Sequence, residues 1–291
     1  SSVGGIGPLL GERDPALAEL GADVIAVSLL YDNVWAQTIG TDGSLKLEKQ
    51  QVTKHLRAAM EDAGTISLEM YDSTMKTIQV WKAPEDAYNG AAVYFLDIPE
   101  ITTPLSRSSV VYPGASDAEK AAIERFNHSW VAGRGMLALM KKLKQRPGIV
   151  VMSEAAAMFA HPHVFQDQLS EDPLFDHTIT VFNDHTPLEY AHPKWDMATL
   201  KLLRVNPRYY QNVPVWTQDG LVDATAMIIN ASEGVYGVSE KHGRVMKRMP
   251  LLRPFADKIQ SVTNGVSDDW AADTFRDVSA ALRMTDEELL E

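Results

Sequence analysis

The stretch Thr178-Ile-Thr-Val-Phe-Asn-Asp-His-Thr-Pro187 constrains this chain most, because a β-branched and aromatic run stops abruptly in polar, ring-bearing residues. Residues 178 to 182 have the composition of a buried strand, and Pro187 forbids the ladder to continue, so His185 falls at a strand's carboxyl end. In open α/β sheets, ligands bind in the crevice beyond those ends. A histidine there is placed to touch a ligand; the plainer alternative is a loop histidine satisfied by backbone.

The rest of the chain repeats the strand-then-helix rhythm. Gly4, Gly5 and Ile6 belong to a Gly-rich turn ahead of a helix predicted over Asp14 to Leu20 and a strand over Asp23 to Leu30. Glycines let backbone amides approach an oxygen-rich ligand, although such a turn also occurs without any ligand. Three short strands follow, Thr65 to Tyr71, Thr77 to Lys82 and Ala91 to Leu96, separated by turn residues that include Asn89-Gly90. They read as an antiparallel meander within a β-rich insertion over about 40–97.

Ser116 to Glu119 spells a capping box, and a helical apolar stripe runs from Ile123 to Leu143. Pro147-Gly148 ends that helix, Ile149 to Met152 is a buried strand, and Glu154 stands between this strand and the next helix. An acid there suits either the helix dipole or a ligand. Val222 to Ala231 is a predicted helix, Gly234 to Val238 a strand, and Ser239 a helix cap. Ile259 to Thr263 is a last strand, which delivers Asn264 to the same sheet edge as His185. The fold class is therefore α/β, with a Rossmann-like, mostly parallel sheet flanked by helices and a small antiparallel strand insertion.

Composition narrows the function. The net charge is −12, from 27 basic and 39 acidic residues, and no basic cluster is long enough to follow a phosphate backbone, so nucleic acid is not an expected partner. With no cysteine, disulfides, thiolate metal sites and cysteine nucleophiles are excluded. No apolar run reaches the roughly 18 residues of a membrane span, and no secretory leader is legible, which predicts a cytoplasmic protein with no membrane partner. His161-Pro-His163 has no carboxylate at a ligand-like spacing, so no metal site is expected.

Five segments fall in one order: Gly4-Gly-Ile-Gly7, Val27-Ser-Leu-Leu-Tyr31, Phe182-Asn-Asp-His-Thr-Pro187, Val235-Tyr-Gly-Val-Ser-Glu-Lys-His242 and Ser261-Val-Thr-Asn-Gly-Val266. Together they resemble the amino-terminal half of the α-glucan phosphorylases, retaining glycosyltransferases of the GT-B fold with two Rossmann-like domains facing a cleft. The resemblance spans nearly the whole chain. It implies a single amino-terminal domain over 1–291, with a carboxyl-terminal domain not included in this sequence. It also implies that Gly4, Gly5 and Ile6 face the glucosyl unit and the phosphate, that His185 is the active-site histidine holding the sugar's 6-hydroxyl, that Glu154 lines the substrate site, and that Asn264 holds the same hydroxyl from the other side. Pyridoxal phosphate is implied for the complete enzyme, carried by a lysine of the second domain, so this chain alone should bind no cofactor and catalyse nothing. The implied partners are an α-glucan or oligosaccharide, phosphate, the second domain and, through exposed aromatics, a second copy in a homodimer.

Two departures stand out. Ala156 replaces a family histidine in Ser153-Glu-Ala-Ala156, and Asp32 replaces a base in Tyr31-Asp-Asn-Val-Trp35. They leave room for two other readings. One is a nucleotide-sugar glycan synthase, whose Gly-rich loop usually carries a basic neighbour that is missing here. The other is a degenerate, non-catalytic glucan-binding domain.

Overall fold

The computed structural model describes residues 6–39, 44–51, 53–102, 118–188 and 191–265. Gly4, Gly5, the Ser116 cap and the helix predicted over 284–291 lie outside these residues.

The first half contains α1 (Ile6–Glu19), β1 (Ile25–Leu29), a hairpin of β2 (Asn33–Ile39) and β3 (Leu45–Gln51), α2 (Thr53–Ala59), β4 (Glu61–Glu69), β5 (Met75–Lys82), β6 (Ala92–Asp97) and the short α3 (Pro99–Thr102). The second half begins with the long α4 (Ala118–Leu143) and β7 (Ile149–Ser153). It continues through β8 (Ile179–Asp184), β9 (Lys194–Trp195), α5 (Met197–Leu202), β10 (Val222–Asp223), α6 (Ala224–Ala231), β11 (Gly234–Gly237), α7 (Glu240–Met246) and β12 (Ile259–Ser261).

Two four-stranded sheets result. The first is mixed, in the order β1-β6-β5-β4, and the second has the order β12-β11-β8-β7 with every pair parallel. The predicted antiparallel meander is present, and its last strand pairs in parallel with β1, so it is continuous with the first sheet. Its turns follow local chemistry: Asn89 and Gly90 both adopt positive φ (48° and 93°), as a tight turn of that dipeptide requires.

Helix α4 lies between the two halves. A Cβ on Gly133 would come within 2.4 Å of the main chain at Phe159 and Ala160, and one on Gly135 within 2.7 Å of Leu96 in β6. Those two positions sit on opposite sides of the helix, so both neighbours approach closely only because no side chain intervenes. Leu137 and Leu139 are fully buried on the same helix, and truncating either to Ala should cost about 2–5 kcal/mol. Phe126, Trp130, Phe159, Phe165 and Trp195 form an aromatic core beside it, with ring centroids about 5–6.5 Å apart. Trp195 is buried within this core, against Phe126 and Phe159.

The strands of the second sheet differ from expectation in one respect. Residues Ile149, Val151 and Ile179 are 59%, 42% and 48% exposed, so β7 and β8 bury one face and leave the other open among the described residues. Among the described residues, no helix is long and apolar enough to cross a membrane.

Candidate active site at the carboxyl edge of the parallel sheet

Because all four strands of the second sheet run the same way, their carboxyl ends lie along one edge. That edge receives Glu154 after β7, Asp184 and His185 at the end of β8, Val238 and the α7 cap after β11, and Asn264 after β12. Main-chain bonds weld these ends together. The amide of Glu154 donates to the Asn183 carbonyl (2.9 Å), Val262 to Gly237 (2.9 Å) and Asn264 to Val238 (3.2 Å). Asn264 is exposed, as a ligand contact would be.

His185 has a defined tautomer. The fully buried Asn183 donates from Nδ2 to the Tyr236 carbonyl (3.1 Å), which turns its Oδ1 toward His185 Nε2. An amide oxygen only accepts, so Nε2 carries the proton and Nδ1 keeps the lone pair when the ring is neutral. Burial lowers the ring's pKa; the charge of Asp184 opposes this, and His242 and Arg13 reinforce it. A neutral imidazole with an accepting Nδ1 suits a sugar hydroxyl.

Glu154 meets the same turn. Thr186 Oγ1 donates to its Oε1 at 2.9 Å, joining the residue after β7 to the turn after β8. Burial raises the Glu154 carboxyl, with Asp184 adding to the effect, while Thr186 and the amides of Ala155 and His185 pull the other way. Its backbone sits at φ 71°, ψ 164°, a region essentially reserved for glycine. Residues held so cost about 1–3 kcal/mol and cluster at functional sites. The helix predicted beyond it is a 3-10 turn, Ala155–Ala160.

Sequence reasoning passed over the charges below these residues. Asp184 is 1% exposed; its Oδ1 accepts the Thr186 amide (3.2 Å), whereas Oδ2 has no hydrogen-bond partner and lies 3.7 Å from His242 Nε2. His192 Nδ1 lies 3.6 Å from Asp223 Oδ2, and its Nε2 is likewise buried without a partner. Burial opposes protonation of His192, but Asp223, Asp184 and Glu154 together raise its pKa. Arg13 on α1 binds Asp14 through Nε (2.8 Å) and buries an unpartnered Nη1. An acid directly before the strand-end histidine was the one legible sign of this layer.

Of the other predicted positions, Ile6 opens α1, and Gly4 and Gly5 lie outside the described residues. His161 is a core residue: its Nδ1 accepts the His163 amide (3.2 Å), its Nε2 lies 3.3 Å from the Thr180 hydroxyl, and burial drops its pKa to about 4. Among the described residues, no three His, Asp or Glu side chains are grouped to hold a metal ion.

An α/β domain whose parallel sheet gathers polar side chains at one carboxyl edge has the form of a Rossmann-like ligand-binding domain. Known proteins make the assignment sharper. The family model for the starch synthase catalytic domain matches residues 1–250, and the chain belongs to that family. It is similar to the maltodextrin phosphorylase of Thermococcus litoralis, 24% identical over 295 residues that cover 90% of this chain and 34% of that protein. Its fold is similar to that of the catalytic domain of starch synthase IV from Arabidopsis thaliana, solved bound to ADP and acarbose, with a TM-score of 0.63 and 16% identity over 92% of this chain and 50% of that one. The chain thus spans half or less of the length of the relatives it matches.

Proposed function

We propose that this chain is the sugar-facing half of an α-glucan glycosyltransferase of the starch synthase type, transferring a glucosyl unit from a nucleotide sugar to a glucan hydroxyl. The observation that carries the reading is the placement of Glu154 and His185 at one carboxyl sheet edge within residues 1–250, the stretch matched by the starch synthase family, with Asn264 beyond that stretch at the end of β12 along the same edge. His185 Nδ1 accepts a sugar hydroxyl, Asn264 approaches from the far strand, and Glu154 with Thr186 sets the wall between them. Such contacts hold the ring while positive charge grows at the anomeric carbon, the stage at which orientation and fixed dipoles matter most. The bond from that carbon to the donor's phosphate breaks, a bond to the acceptor oxygen forms, and the acceptor's hydroxyl proton passes to the departing phosphate. A second domain would face this edge and bind the donor.

A specific observation favours a second reading, phosphorolysis of an α-glucan to glucose 1-phosphate. The relative that shares 24% identity is a maltodextrin phosphorylase, and Val3-Gly-Gly-Ile-Gly-Pro8 has no basic side chain to meet a nucleotide's phosphates. In that case pyridoxal phosphate belongs to the second domain. Lys258, a described lysine whose pKa burial lowers, is tied to the carbonyls of Ile229, Asn230 and Ser232 at 3.2, 2.7 and 2.7 Å and offers no free amine for it. Homodimerisation would be a property of the complete protein in either reading.

Titration with maltoheptaose by calorimetry or NMR, comparing wild type with His185→Ala and Asn264→Ala, tests the shared part. Saturable binding that both substitutions weaken supports the sugar-facing edge; binding indifferent to both sinks it. The donor is decided by supplying a protein that includes the second domain with maltoheptaose and either a nucleotide sugar or phosphate, and observing whether the glucan lengthens or shortens.

A further inference from the structure

The buried carboxylate of Asp184 does more than cap a turn. Capping the Thr186 amide needs only Oδ1, and an asparagine would accept that bond equally well. The second oxygen is buried, has no hydrogen-bond partner, and faces His242 Nε2 at 3.7 Å, beyond hydrogen-bonding distance. His242 is oriented by its other nitrogen: Nδ1 accepts the Val238 amide (3.3 Å), so Nε2 bears the proton and its dipole points at the carboxylate. The unmatched oxygen would be a plain penalty in a structural cap, since a buried polar atom without a partner is costly.

We propose that Asp184, backed by His242, is a positioning residue that keeps a fixed negative charge beneath the turn carrying His185, so that this wall of the cleft favours a sugar bearing positive charge over the same sugar when neutral. This rests on the sugar-facing reading above and adds to it the kind of ligand preferred. Glucosyl transfer builds positive charge on the ring, and a preorganised carboxylate in a water-poor site stabilises that charge without reorganising. The surrounding groups agree in sign. Asp184 raises the pKa values of Glu154, His185 and His192, which approach it from the ends of β7 and β8 and from the segment before β9. Asp223 at the head of α6 adds negative charge, while Arg13 on α1 is the opposing cation and is itself paired with Asp14.

The test uses this chain with Asp184→Asn, which keeps the acceptor for Thr186 and removes the charge. Histidine NMR titrations should show the midpoints of His185 and His192 falling together; unmoved midpoints overturn the proposal. Affinity is then measured for neutral maltotetraose and for a malto-oligosaccharide capped by a protonated iminosugar. Wild type should prefer the cationic sugar, and the variant should lose about tenfold of that preference, the scale of one charge interaction across a partly shielded site. An equal loss on both sugars would mean a structural role and overturn the proposal. Binding of the neutral sugar by wild type without cationic preference overturns it alone, whereas binding of neither sugar sinks the sugar-facing reading and the proposal with it. If the Asn variant does not fold, Asp184→Ser retains an acceptor for Thr186 and takes its place.

Discussion

The two sheets end in opposite ways. Where β1 and β6 finish side by side, Arg57 reaches both Asp97 oxygens (2.8 and 2.9 Å) and Asp32 (3.3 Å), and Trp81 Nε1 adds a bond to Asp97 (2.9 Å). Both oxygens of Asp97 are matched. At the carboxyl edge of the parallel sheet, Asp184, His192 and His242 each bury an unmatched atom, and Glu154 is held in a strained conformation. The same contrast runs along β8, for His161, near the strand's amino end, is buried with both nitrogens engaged. A closed polar cluster stabilises the fold, whereas an open one has bonding capacity left for a ligand. The Asp32 departure belongs to the first kind, since an acid at that position helps hold Arg57.

The closed clusters should therefore fail through stability. The largest effect is at His161, whose folded pKa lies at about 4 against 6.5 for an unperturbed ring. A depressed folded value means its contribution is whole above pH 6.5 and is lost as pH falls toward 4, because the unfolded chain takes up the proton first. Urea unfolding should lose about 3 kcal/mol across that window from this group, and His161→Gln should flatten the slope. An unchanged slope would mean that the ring is not closed off. Next comes Asp97→Ala, expected to cost about 2 kcal/mol, below the usual penalty for breaking a buried pair because Arg57 is 31% exposed. Maltoheptaose affinity should not move; if it does, the first sheet's edge is part of the site.

The open edge should respond in the opposite sense. Glu154 has a raised folded pKa, so its contribution is whole below 4.5 and is lost as pH rises through the folded value. At neutral pH the ionised form is the strained partner. Glu154→Gln should therefore gain about 1 kcal/mol of stability at pH 7, shrinking to nothing below pH 4, while weakening sugar binding. A glutamine that destabilises the chain and spares the sugar would place Glu154 with the closed clusters.

How far the residues announced all this follows from what each signal depends on. Period and punctuation are local, so the β8 run stopped by Pro187, the Asn89-Gly90 turn and the Ser239 cap were legible, and with them the shared edge of Glu154, His185 and Asn264. Pairing is not local. Nothing in Ala92–Asp97 states that it lies parallel to β1, and nothing in Val222–Asp223 distinguishes a two-residue bridge to β9 from the start of α6. The open face of Ile149, Val151 and Ile179 was hidden for the same reason, since an apolar run reads as buried whichever neighbours it meets. Unmatched atoms are harder still. Asp184 and Asp97 look alike in the chain, and only the arrival of Arg57 from α2 closes one of them.

The smallest expected change in stability is also the most selective probe of the contrast. Asn264 is exposed, and its bond to the Val238 carbonyl comes from its main-chain amide, which alanine retains. Asn264→Ala should alter stability by less than about 0.5 kcal/mol. If its side chain holds a sugar hydroxyl, the variant should bind maltoheptaose about fivefold more weakly, the worth of one ordinary hydrogen bond. Binding loss without instability is the mark of a group whose partner is the ligand, and the reverse pattern is the one expected of Asp97. Should both variants lose stability and neither lose affinity, the two edges are alike, and the sugar must be sought on another face of the domain.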